Sequence, residues 1–204
     1  MFTKVVLVSK LSIKKSQHKK LIKGFTIVEL LIGIAIIGIL TAIAGPSLGQ
    51  FIVKLRVDSE ISEIHRLVLT ARNSAINSGK NVTLCPLNGT TCSDNWQNEL
   101  SVFINSASTL VNNKTYDSVN EELVKVKGKI ASGDTLTFSQ GLIIFAPTGR
   151  LVSGGNSNFS YCPKGNSNLS RGVEISLSGR VYTTADTNND GKDENRNGTE
   201  VSCS

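Results

Sequence analysis

Histidine is nearly missing from this chain. His18 and His65 are the only two among 204 residues, so a histidine-built metal or acid–base centre has almost nothing to draw on. His65 has no obvious nucleophile beside it and no acid–base pair stands out, which points away from an enzyme. Aromatic residues contribute 5% and hydrophobic residues 39%, which suits one domain of ordinary size with appendages. No internal repeat is visible. Four cysteines are present, Cys85, Cys92, Cys162 and Cys203, but without the Cys-x-x-Cys spacing or neighbouring histidines that zinc asks for. An even count suits two disulfides in an oxidising compartment, and three pairings are open. Cys85–Cys92 with Cys162–Cys203 is the favoured pairing. The first closes a short Asn-Gly-Thr-Thr loop and the second ties down the C-terminal end; zinc is the rival.

Acid is missing from one place in particular. Before Gly24 there are seven lysines and no carboxylate. Without that segment the 22 basic residues fall to 15, against 16 acidic ones. The basic pI of about 9.2 therefore belongs to a leader, and net charge gives no argument for nucleic acid.

From Phe25 to Leu48 nearly every residue is apolar. As a helix this stretch would run roughly 36 Å, enough for a hydrocarbon core of about 30 Å, with its lysine-rich flank on the cytoplasmic side. One reading is a secretory signal peptide, with Leu30–Ile43 as its apolar region and Ala42-Ile43-Ala44 as a cleavage site. A second is a plain membrane anchor. Neither accounts for Glu29, because a carboxylate within a membrane helix costs about 2.5–3.5 kcal/mol on insertion scales and usually has a partner. A third reading supplies the partner. Cleavage between Gly24 and Phe25 makes a new ammonium four residues from Glu29, and a neighbouring copy offers that charge to the carboxylate when like helices assemble. Snorkelling of Glu29 to the interface is the competing account.

Lys23-Gly24-Phe25-Thr26-Ile27-Val28-Glu29-Leu30 resembles the processing site of type IV pilins and type II secretion pseudopilins. The resemblance implies cleavage after Gly24 by a prepilin peptidase, N-methylation of Phe25, and a role for Glu29 in register or recruitment during assembly. It also implies single-pass insertion in a bacterial inner membrane, with the globular domain periplasmic. Incorporation with other pilins into a pilus or pseudopilus would follow, by way of an inner-membrane assembly platform.

Pro46 removes one backbone donor from the apolar helix and should kink or loosen it, which makes it a second assembly position. Beyond it, Leu48, Phe51, Ile52, Leu55, Ile61, Ile64, Leu67, Val68, Ala71 and Ala75 recur mostly at three- and four-residue steps, with Lys54, Arg56, Asp58, Glu60, Glu63 and Arg66 between them. This predicts an amphipathic helix stopping near Asn77-Ser78-Gly79. The rest reads as β. Strands are expected at 81–86, 100–104, 135–138 and 142–145, and at 173–177 turning through Ser178-Gly179 into 180–184. Asn105 to Asn120 reads as an insertion or a flexible loop. The organisation is a leader at 1–24, a membrane-spanning assembly helix at 25–48, its amphipathic continuation at 49–79, and an antiparallel β domain at 80–204. The fold class is α+β, a long N-terminal helix packed on antiparallel sheet.

Several stretches are similar in order to the FimT/GspH family of minor pilins and pseudopilins. They are Leu69–Ile76, Gly79–Pro86, Trp96 before Leu100–Ile104, Phe145–Arg150, Tyr161-Cys162 and Ile175–Val181. The family implies a pilin-like fold and a subunit that aids assembly of a type IV pilus or type II secretion pseudopilus. The alternative is a DNA-binding minor pilin acting in uptake during natural transformation, because some FimT-like proteins bind DNA through Gly-Arg-x-Arg. Here the tetrad is Gly179-Arg180-Val181-Tyr182. The second arginine is absent, although Tyr182 is able to stack on a base. Arg150, Arg171, Lys125, Lys127 and Lys129 would add phosphate contacts if they converge; a solvated hairpin is the plainer account. Finally, Asp186-x-Asn188-x-Asp190-Gly191 copies the first half of a calcium loop, but the twelfth position is Asn197 instead of a bidentate glutamate. The choice there lies between a calcium site at Asp186, Asn188 and Asp190 and an acidic loop anchored by Cys203.

Overall fold

The computed structural model describes residues 24–106, 114–152 and 157–203, with the side chains of 43–47 set aside. The lysine-rich leader before Gly24, the side chain of Pro46 and the middle of the Asn105–Asn120 segment lie outside the described residues. The chain divides into two compact units, Met1–Gly45 and Pro46–Ser204, and each is taken by itself.

In the first unit the helix α1 (Ile27–Ser78) begins. Thr26 caps it: its Oγ1 accepts the Glu29 N–H at 3.2 Å and its carbonyl accepts the Leu30 N–H at 3.1 Å. Thr26 and Glu29 thus occupy the N-cap and N3 places of a capping box, and Glu29 is the acid of the first turn, where the helix dipole favours negative charge. The one other polar side chain before residue 43 in α1, Thr41, turns its hydroxyl onto the carbonyls of Ile37 and Gly38 at 2.9 and 3.0 Å, the back-bonding open to a threonine within a helix. The large apolar side chains from Phe25 to Leu40 are 52–83% exposed. Among the described residues no helix is long and apolar enough to cross a membrane. The apolar run that the sequence continues to Leu48 has its side chains described only as far as Ala42 before the gap at 43–47.

In the second unit α1 continues and acquires a buried face. Val57, Ile61, Ile64, Leu67, Val68, Ala71 and Ala75 are buried, a seam at helical spacing. This seam starts later than the periodicity suggests, for Leu48, Phe51, Ile52 and Leu55 are 52–56% exposed. Gly79, at φ +66°, ends the helix by donating its N–H to the Ala75 carbonyl at 3.1 Å, the left-handed stop that glycine accepts without a Cβ penalty.

Two antiparallel sheets cover the seam. The first holds β1 (Val82–Asn88), β2 (Thr91–Cys92), β3 (Leu100–Ile104), β4 (Glu122–Lys127) and β6 (Ile143–Phe145), in the order β2-β1-β3-β4 with β6 also on β1. The second runs β5 (Thr135–Phe138), β7 (Ser157–Cys162), β8 (Arg171–Ile175), β9 (Val181–Thr183). In β1, Val82 and Leu84 join the helix-side core, while Cys85 packs on the other face with Phe103, Leu142 and Ile144. Both faces are therefore covered, and β1 is buried without alternation from Val82 to Pro86. Three strands, β2, β4 and β7, escape the sequence reading. Glu122-Leu-Val-Lys-Val-Lys and Ser157-Asn-Phe-Ser-Tyr-Cys carry polar residues that mask their period.

The polar side of α1 is also tied down. Arg56 Nε meets Asp134 Oδ2 at 3.1 Å, Lys127 Nζ meets Glu60 Oε2 at 2.7 Å, and Arg171 Nη1 meets Asp58 Oδ1 at 2.6 Å. Asp134 is buried and also accepts hydrogen bonds from the Tyr161 hydroxyl and the Lys164 N–H. A buried carboxylate needs that many donors to offset its desolvation. Two disulfides, Cys85–Cys92 and Cys162–Cys203, complete the unit.

Candidate functional site

Three places carry chemistry. At the first, Gly24 and Phe25 precede α1, with Phe25 83% exposed. Glu29 is exposed in the first turn, its N–H held by Thr26. The pattern Thr-x-x-Glu before an apolar run is a capping-box signal that the reading of Glu29 as a bare membrane charge passes over.

At the second, two turns of one design lie back to back. Gly149 N–H donates to the Ala146 carbonyl at 2.8 Å and Gly179 N–H to the Ser176 carbonyl at 2.8 Å, with both glycines left-handed at φ +72° and +76°. The second turn closes over Leu177, Ser178 and Gly179, one residue more than a two-residue hairpin, because Ser176 and Arg180 pair through the Ser176 N–H. A Cβ on Gly179 would overlap the Gly149 carbonyl oxygen, and Arg72 Nε donates to that same oxygen at 3.0 Å. Arg150 and Arg180, each following its glycine, are thereby carried on adjoining turns and both are exposed.

Beside them Tyr182 on β9 lines an open groove of about 400 Å³ with Asn158, Glu174, Asn195 and Arg196. The Arg196 guanidinium sits over the Tyr182 ring at 4.0 Å, a cation–π contact. A hydrogen bond with Arg180, followed by the influence of Arg196, holds the Tyr182 phenol below its ordinary value. Arg196 is not among the basic residues that the sequence singles out. No local motif marks it, since its place depends on how the C-terminal segment folds back. Its N–H reaches the Glu174 carboxylate at 3.3 and 3.4 Å. Arg171 is not part of this group; it is engaged by Asp58 and, at 3.8 Å, by Asp193. Lys127 is buried against Glu60, and Lys125 borders a different groove with Arg66 and Thr70.

The third place is the C-terminal loop. One oxygen from each of Asp186, Asp190 and Glu194 lies within 4.8 Å of the others. Asn188 Oδ1 accepts the Asp190 N–H at 2.9 Å, and its own side-chain amide reaches Asp190 Oδ2 at 3.1 Å. Glu194, at the ninth position of the calcium pattern, is buried; the spacing offered it to sequence reasoning, and its burial did not show there.

The sequence pattern of the family described as type II transport protein GspH matches residues 60–179, more than half of the chain. The prokaryotic N-terminal methylation motif matches residues 19–45. A fimbrial protein of Pseudomonas aeruginosa is 47% identical over 60 residues, covering 29% of this chain and 38% of that protein. The type IV major fimbrial protein FimA of Dichelobacter nodosus is 42% identical over 67 residues, covering 33% and 42%. The chain thus spans about two fifths of the length of these curated relatives. Among solved structures, the type IV minor pilin FimU of Pseudomonas aeruginosa superposes with a TM-score of 0.50 at 18% identity, covering 63% of this chain and 88% of that one; this likeness concerns the fold. The chain, an α+β protein with its N-terminal helix on antiparallel sheets, belongs to the type II transport protein GspH family of pilin-like proteins.

Proposed function

We propose that this protein is a minor subunit of a type IV pilus or type II secretion pseudopilus and works by lateral packing of its N-terminal helix. The observation that carries this reading is the helix itself: apolar side chains from Phe25 to Leu40 exposed on every side, with Glu29 the one acid of its first turn. In a bilayer such a helix gains little hydrophobic energy by moving among like helices, because lipid tails are as apolar as leucine. What changes on assembly is the surroundings of Glu29. The ammonium of Phe25, freed by cleavage after Gly24 and methylated, meets the carboxylate of a neighbour and sets the register between them. Other pilins, a prepilin peptidase and an inner-membrane platform are the partners this requires. Mass spectrometry of the mature protein should find Phe25 first, carrying one extra methyl group. Glu29→Ala should be trimmed normally yet be missing from sheared filaments. A wild-type amount of the variant in filaments, or a chain beginning at Met1 or Gly45, would overturn the proposal.

A second reading has its own observation. Arg196 brings a guanidinium to Tyr182 from a distant part of the chain, next to Arg180, where the tetrad Gly179–Tyr182 lacks a second arginine. We infer a weak single-stranded DNA contact at this place, with Tyr182 stacking on a base and the two arginines meeting phosphates. Anisotropy of labelled oligonucleotides at two salt concentrations tests it. Losing Arg180 and Arg196 together should lower the log–log salt slope by about 1.4, at about 0.7 per single-strand contact. An unchanged slope and affinity would remove DNA.

A further inference from the structure

The C-terminal acidic loop has one feature that solvation does not explain. Glu194 is 4% exposed. Its Oε2 accepts from the Thr187 N–H at 2.8 Å and the Thr187 hydroxyl at 2.6 Å, while its Oε1 is buried and has no hydrogen-bond partner. A buried carboxylate oxygen left bare costs free energy unless something meets it. The same side chain contributes to the group in which Asp186, Asp190 and Glu194 each present an oxygen within 4.8 Å of the other two. Donors held at about 2.4 Å from one centre are at most about 4.8 Å apart, so the span fits a single calcium ion.

Side-chain cations do not fill this place among the described residues. Lys192 Nζ is turned to Glu200 at 2.8 Å, Arg171 reaches Asp193 and Asp58, and Arg196 lies over Tyr182. The backbone is already wound for a ligand. Gly191 N–H donates to Asp186 Oδ2 and Lys192 N–H to Asp190 Oδ1, each at 2.9 Å, while Asp190 Oδ2 takes the Asn188 amide at 3.1 Å, so the loop holds both acids in place and each oxygen keeps a lone pair for an ion. We infer that Asp186, Asn188, Asp190 and Glu194 form a calcium site in which Glu194, at the ninth position, replaces the bidentate glutamate that the pattern lacks at Asn197. All-oxygen donors in an irregular loop favour calcium over magnesium, which demands near-ideal octahedral geometry. The ion locks the segment between Ala185 and Val201, and with it the arm that sets Arg196 over Tyr182. The inference is independent of how the helix assembles.

The test is calorimetric titration of the chelator-treated full chain, held in detergent micelles, with calcium chloride. One site per chain is expected, with Kd about 10⁻⁴–10⁻³ M, the range of extracellular calcium modules. Magnesium should bind at least about tenfold more weakly. Calcium should also slow tryptic cleavage after Lys192 and Arg196. Glu194→Gln keeps the Thr187 hydrogen bonds and should weaken binding at least tenfold. Asp186→Asn, on an exposed side chain, should do the same and gives the answer if the first variant fails to fold. Asp117→Asn, on a separate acidic turn, should bind as wild type. Absence of saturable binding up to about 10 mM calcium, wild-type affinity in folded Asp186→Asn, or equal loss in Asp117→Asn would each overturn the site.

Discussion

Replacing Gly179 with alanine separates two costs that a turn glycine usually confounds. The residue sits at φ +76°, and a side chain there pays about 1–2 kcal/mol for left-handed backbone. A Cβ at this position would also drive into the Gly149 carbonyl oxygen, a backbone atom pinned by Arg72. Relief requires the two turns to part, which adds about 1–3 kcal/mol of overpacking. The total, about 2–5 kcal/mol, is a large share of the roughly 5–15 kcal/mol that holds a domain folded. Gly165 supplies the control: its φ is +70° and nothing lies within 4 Å of its Cβ direction, so Gly165→Ala should show the backbone cost alone. Trp96 is the sole tryptophan and is 2% exposed, so its fluorescence follows the core during urea unfolding. For a slope of about 2 kcal/mol/M, Gly179→Ala should lower the midpoint by about 1–2.5 M and Gly165→Ala by about 0.5–1 M. Equal midpoints for the two variants would refute the back-to-back packing of the turns.

The remaining expectations use the same chain. Burial first, and then the hydrogen bond to Asp134, pushes the Tyr161 hydroxyl well above its ordinary value of 10; a raised folded-state value means stability is complete below pH 10 and is lost as pH climbs beyond it. Tyr161→Phe should be less stable at neutral pH but show a shallower alkaline decline by urea midpoint. Breaking Cys162–Cys203, with a sequence separation of 41, should cost about 4 kcal/mol by chain entropy, against about 2 kcal/mol for Cys85–Cys92 with its separation of 7, as measured on serine variants. Absorbance titration should find Tyr182 ionising below the ordinary tyrosine value, and Arg180→Ala should move it back up.

The long helix was legible because its signals are local and repeated: an apolar run, then a three-and-four spacing ending at a glycine. Thr135–Phe138 and Leu100–Ile104 were legible for the same reason, each a short β-rich run bounded by turn residues. Glu122–Lys127 was not, since its register against β3 shifts between Val102 and Phe103 and its buried residue is a lysine paired with Glu60. No rule of local periodicity anticipates a charge buried beside its mate. The acids and bases of α1 read as a wetted face, yet Arg56, Asp58 and Glu60 meet ions from β strands or loops 67 to 113 residues further on. Arg196 was hidden likewise, because only the folded arm between Ala185 and Cys203 delivers it to Tyr182.

Those three ion pairs have a mechanical meaning. They join α1 to the β domain at Arg56, Asp58 and Glu60, ahead of most of the apolar seam that runs to Ala75. Tension drawn along the helix from its apolar end reaches these charges before it reaches Ile64 or Val68. Each pair reaches a different part of the β domain, Asp134, Lys127 and Arg171, so no one strand or loop takes the whole load.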